Sequence, residues 1–157
     1  RDIFDRLHPI LDAFADKVVY AGALGLANVC KLVHNMTTIA MQQVVAEALA
    51  LGIKAGVELP VLLDSGSRGP VGALKDRLTT VFQGRFDPPV FTLDLARKDL
   101  GLATNLGRQS GVPMPVVNMV EQIMMHAMNR GWGGSDRTIA VRLQEESSGI
   151  EIRAARD

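Results

Sequence analysis

Three polar side chains, Lys31, His34 and Asn35, stand close together in an otherwise apolar stretch. If that stretch is helical, Lys31 and Asn35, four positions apart, share a face with His34, and Thr38 lies a turn further along. An amine and a carboxamide so placed can work on one substrate oxygen, the amine moving its proton and the amide orienting a hydroxyl or carbonyl. An ammonium among apolar residues needs a reason, because burying it is costly unless something pairs or solvates it. One reason is that the face reaches the surface and the lysine stem snorkels. The other is that the stripe lines a cleft, where partial desolvation suits an amine to general acid–base work. The pattern alone leaves both open.

Other chemistries find less support. His8 and His126 are isolated from any Cys, Asp or Glu at a metal-binding spacing, so no metal site is expected. Ser65 to Pro70 has the glycines of a phosphate loop but lacks the lysine after the last one, and reads as a connection. Met119, Met124, Met125 and Met128, with Val116, Val120 and Ile123, make an apolar helix suited to a core or a dimer interface.

The element that must carry Lys31 and Asn35 is one long helix from about Leu24 to Leu51, with no proline and no glycine after Gly25 until Gly52, a plausible C-cap. Its apolar residues surround it, so it is expected to be the most buried element. Before it, Ile3, Phe4, Leu7, Ile10, Leu11 and Phe14 recur at helical spacing, and Val18-Val19-Tyr20 reads as a short strand that needs partners from elsewhere. After it come Leu59 to Leu63, a helix from about Val71 to Gln83, and a non-helical stretch around Pro88-Pro89. Further helices are expected from Thr92 to Ser110, from Pro115 to Arg130, and from an Asp136 cap to about Glu146. The coarse reading is all-α after the first twenty-odd residues.

Composition narrows the partners. The chain has 157 residues, and 17 Lys+Arg balance 17 Asp+Glu, with no basic run and only 4% aromatic residues. It therefore lacks the electrostatic footprint and stacking surface of a nucleic-acid binder. No apolar stretch is expected to reach membrane-spanning length, so no membrane partner is expected, and a single cysteine, Cys30, suits a reduced, cytoplasmic location. The start at Arg1-Asp2-Ile3, without methionine or leader pattern, suggests a piece of a longer protein.

Gly22-Ala23-Leu24-Gly25, Lys31-Leu32-Val33-His34-Asn35, and far downstream Phe91 with Lys98-Asp99-Leu100 together resemble the β-hydroxyacid dehydrogenase family. Glu47-Ala48-Leu49, Pro113-x-Pro115 and Gly131 to Asp136 extend the resemblance over nearly the whole chain. The family includes 3-hydroxyisobutyrate dehydrogenase and tartronate semialdehyde reductase, with 6-phosphogluconate dehydrogenase more distant. The resemblance implies an all-α helical bundle around one long central helix, like the C-terminal domain of 6-phosphogluconate dehydrogenase. Residues 1–21 would be the last helix and strand of a Rossmann cofactor domain, and 22–157 the helical substrate and dimerisation domain. It also implies NAD or NADP as cofactor, a small hydroxy-acid substrate, and a homodimer or dimer of dimers. Lys31 matches the catalytic lysine and Asn35 the asparagine that holds the substrate hydroxyl; Lys98 matches a lysine at the nicotinamide end of the cofactor. Phe91 and Asp99 fall at substrate-binding cleft positions, although Asp99 could equally pair with a basic residue on the next turn.

The departures are informative. The G-x-G-x-x-G fingerprint of the cofactor domain appears nowhere in the chain. Lys-x-x-His-Asn is the arrangement of 6-phosphogluconate dehydrogenases, but the glutamate they use to protonate the enediol has no counterpart in Met36 to Ala40. Simple oxidation of a 3-hydroxy acid to a semialdehyde or keto acid is therefore expected ahead of oxidative decarboxylation. The rival from another class is a non-catalytic helical dimerisation module whose polar stripe faces solvent.

Overall fold

The long helix forms as its composition requires. In the computed structural model, which describes residues 1–154, α2 runs unbroken through Leu26–Lys54. Gly52 does not cap it. A Cβ there would lie 2.6 Å from a Leu62 methyl, so this glycine serves the close approach of α3 (Leu59–Ser65). The chain turns instead at Gly56, whose φ of +93° is readily accessible only to glycine.

Burial along α2 is one-sided in length rather than in face, which corrects the expectation of a helix buried throughout. Its buried residues are Ile39, Gln42, Gln43, Val45, Ala46, Leu49 and Ala50, all in the C-terminal part. There α6 (Leu93–Gln109), α7 (Pro115–Asn129) and α8 (Val141–Ser148) pack on it. The first turns project from the bundle, leaving Leu26 45% and Val33 50% exposed. By length and apolarity alone α2 would also meet the requirement for crossing a membrane, contrary to the expectation that no stretch would. Its C-terminal half spends that apolarity on the core with Leu93, Ala96, Leu100 and Met124.

Residues 18–20 form no strand, and among the described residues the sole β-type pairing is an isolated bridge between Thr92 and Asp136. A single extended segment has no ladder to join. Instead Tyr20 sets its ring 5.1 Å from that of Phe4 on α1 (Asp2–Leu11), and the Arg1 guanidinium lies 4.8 Å from the Tyr20 ring. α1 buries no residue.

The single helix expected over 71–83 is divided into α4 (Pro70–Leu74), a 3-10 turn (Asp76–Leu78) and α5 (Thr79–Gln83). Leu74, Leu78, Val81 and Phe82 still reach the core. Thr92 sits at the start of α6, but its hydroxyl binds the Asp94 carboxylate rather than a backbone N–H. Asp136 caps a 3-10 turn (Arg137–Ala140) that leads into α8. One of its oxygens accepts from the Thr138 N–H at 3.0 Å and hydroxyl at 2.7 Å. The other accepts from the Val90 and Phe91 N–H groups at 3.0 and 3.2 Å, tying the strap before α6 to the start of α8.

Candidate active site

Lys31 and Asn35 lie one turn apart on α2, and both reach the same carboxylate on α6. Lys31 Nζ donates to the two oxygens of Asp99 at 2.9 and 2.7 Å, and Asn35 Nδ2 donates to Oδ2 at 2.7 Å. The Asp99 side chain is 2% exposed while that of Lys31 is 55% exposed. Asp99 is thus a buried anchor from which the two donors rise toward solvent, and its partner lies on another helix, not on the next turn of its own. Burial by itself would raise the Asp99 pKa. The hydrogen bonds from Lys31 and Asn35, with the charges of Lys31 and Lys98, outweigh it and hold the carboxyl below its usual range.

Asn35 and Phe91 line one cleft of about 650 Å³, with Arg77, Thr80, Arg137 and Thr138. Lys31 and Lys98 stand outside its lining. Lys98 is exposed on α6 next to Asp99 and makes no ion pair within 4 Å among the described residues. The desolvation that the cleft reading of Lys31 requires is not supplied by the described residues, which leave its side chain 55% exposed. His34 is exposed, and Thr38 turns its hydroxyl back onto the His34 carbonyl at 3.0 Å, so neither adds a group to the cleft. A larger concavity of about 990 Å³ lies elsewhere, around Arg85, Arg142 and Arg153, and contains none of the expected site residues. Chemistry favours the smaller one, which holds Asn35 and Phe91.

Arg77 and Arg137 escaped the sequence reading. A signal existed for Arg137: it directly follows the capping Asp136 in the first turn of a helical segment, where the backbone dipoles disfavour a cation.

Residues 25–144 match the family model described as NAD-binding of NADP-dependent 3-hydroxyisobutyrate dehydrogenase. The chain belongs to this family. It is 26% identical over 152 residues to 2-(hydroxymethyl)glutarate dehydrogenase of Eubacterium barkeri, covering 96% of this chain and 50% of that protein. It is 30% identical over 156 residues to L-threonate dehydrogenase of Escherichia coli (strain K12), covering 98% of this chain and 50% of that protein. The crystal structure of 3-hydroxyisobutyrate dehydrogenase from Salmonella typhimurium superposes with a TM-score of 0.74 at 24% identity, over 89% of this chain and 50% of that one. That likeness bears on the fold, and it agrees with the all-helical architecture. The chain spans about half the length of these relatives.

Proposed function

We propose that the chain is the helical half of an NAD(P)-dependent dehydrogenase that oxidises a small 3-hydroxy acid to its semialdehyde or keto acid. The observation that carries this reading is the shared clamp: one buried carboxylate fixes both an amine and a carboxamide, with the amine open to solvent. Membership of a family whose model is named for 3-hydroxyisobutyrate dehydrogenase supports the substrate class.

In this reading Lys31 and Asn35 are the catalytic residues. As the neutral amine Lys31 accepts the hydroxyl proton during oxidation, and it returns that proton from its ammonium form in reduction. Asn35, with one amide N–H held by Asp99, has its second N–H and its carbonyl oxygen left to hold the same substrate oxygen. Charge developing on that oxygen is then met by two preorganised donors that need not reorient. Asp99 works through them as a positioning residue, and Phe91 forms an apolar wall of the cleft. A nicotinamide, when bound, supplies the hydride acceptor. Lys98, an exposed cation on the same helix as Asp99, fits the end of such a cofactor, whereas nothing in this sequence offers the glycine-rich turn that grips a pyrophosphate. The exposed apolar residues Leu26 and Val33 on α2 and Val116 and Met119 on α7 support a homodimer, and the lone, exposed Cys30 is at home in the reducing cytoplasm.

In the native protein, Lys31→Ala is expected to lower kcat by about 100-fold or more while changing the cofactor KM little, because its work is proton transfer. Lys98→Ala is expected to raise the cofactor KM with a smaller change in kcat. Steady-state kinetics with NAD⁺ and NADP⁺ measure both. Equal, mild effects from the two variants would return the solvated-stripe reading.

A further inference from the structure

The cleft that holds Asn35 also holds a cation with no hydrogen-bonded or ion-paired partner among the described residues. Arg137 is 8% exposed, yet its guanidinium donates no hydrogen bond to any described residue, and its Nε is fully buried. Its neighbour Asp136 acts on it through its charge but accepts no hydrogen bond from it. Both oxygens of Asp136 are already taken, one by Thr138 and the other by the Val90 and Phe91 N–H groups. The guanidinium lies 5.8 Å from the Phe91 ring, which forms a flat wall beside it. A second cation, Arg77, lines the same cleft. Burial holds the Arg137 pKa below its usual value; the charge of Asp136 opposes this and that of Arg77 adds to it. A buried cation that shares a cleft with a second cation is unfavourable for the protein alone, and an oxyanion bound in that cleft relieves it.

We propose that Arg137, with Arg77 at its side, is a carboxylate subsite, and that the substrate is a hydroxy acid carrying a second carboxylate. Resting on the dehydrogenase reading above, this places the reacting hydroxyl at Asn35, one turn from Lys31, and the distal carboxylate on Arg137, which lines the same cleft as Asn35. A planar guanidinium fork against an aromatic wall matches a planar carboxylate in two parallel hydrogen bonds. Arg137 is then the residue that selects substrates by charge, and it takes no part in the hydride or proton transfer.

The test compares 3-hydroxyisobutyrate with 2-(hydroxymethyl)succinate, which differ by one carboxylate, on the native protein. The expected kcat/KM ratio favours the diacid by about tenfold or more. Arg137→Gln should bring that ratio near one by raising the diacid KM, with kcat for the diacid within about threefold, and Arg137→Lys should restore part of it. Arg77→Gln, at an exposed position, should shift the ratio the same way by less, and keeps the test valid if the Arg137 variant fails to fold. Calorimetry with unreactive methylsuccinate and isobutyrate separates the subsite from the reaction. If neither hydroxy acid is oxidised but methylsuccinate binds more tightly and loses that advantage in the variants, the subsite stands and the dehydrogenase reading falls. If methylsuccinate binds no better than isobutyrate, the subsite is overturned whatever the turnover. If Arg137→Gln lowers the melting temperature and leaves the ratio unchanged, Arg137 is paired by protein in the native assembly and the proposal is likewise overturned.

Discussion

Asp99 shows how one buried charge can organise an exposed amine and a half-buried carboxamide. Its carboxyl is ionised at neutral pH because the bonds from Lys31 and Asn35 outweigh the cost of burial. A depressed pKa in the folded state means that the clamp contributes stability at pH values above the unfolded carboxyl value of about 3.9, and loses it as pH falls through the lower folded value. Asp99→Asn keeps the shape and removes the charge. Its unfolding free energy, followed by denaturant titration from pH 7 to pH 2, is expected to vary less with pH below about 4 than that of the wild type. Its kcat is expected to fall about tenfold or more, since Lys31 loses the anion that fixes its position. A variant with unchanged kcat would show that Lys31 is positioned by something else.

At the scale of elements, the strap before α6 and the start of α8 depend on Asp136. Replacing it by alanine leaves the N–H groups of Val90, Phe91 and Thr138 and the Thr138 hydroxyl without their acceptor, at an expected cost on the order of 3 kcal/mol in chemical denaturation. The same change should loosen Phe91 and Arg137, which border the cleft from the two tied segments. Its acid sensitivity follows the same sign as that of Asp99, because burial is again outweighed by hydrogen bonds, here from Thr138, Phe91 and Val90. Along α2, amide exchange in the isolated chain should be slow from Ile39 onward and fast over Leu26 to Val33, because only the later residues are covered. Uniformly slow exchange along α2 would mean that its first turns are already covered.

Among the exposed apolar residues of the molecule are two groups, Leu26 and Val33 on the projecting half of α2 and Val116 and Met119 on α7, beside others such as Ile3 and Ile10 on α1. A chain of zero formal net charge does not repel its own copies, so these surfaces are expected to associate. Sedimentation of the isolated chain at micromolar concentration should show a dimer or larger, and Val116→Lys together with Met119→Lys should shift it toward monomer. A wild-type monomer would instead assign both surfaces to other parts of the native protein.

The helices were legible in the sequence wherever the signal was local. Pro115, Gly111 and Gly131 mark helix ends, and the proline pair at 88–89 a non-helical stretch, because backbone dihedrals are restricted residue by residue. The shared face of Lys31 and Asn35 follows from the period of one helix, which no tertiary contact alters. What lies beneath them was decided by packing. Asp99 is 68 positions from Lys31, and only the seating of α6 on α2 brings its carboxylate under both donors. The half-burial of α2 could not be read from its composition either, because an apolar surface looks the same in sequence whether its cover comes from this chain or from another body. Arg137 belongs with these, its meaning set by two neighbours, Arg77 and Phe91, that a linear reading keeps 60 and 46 positions away.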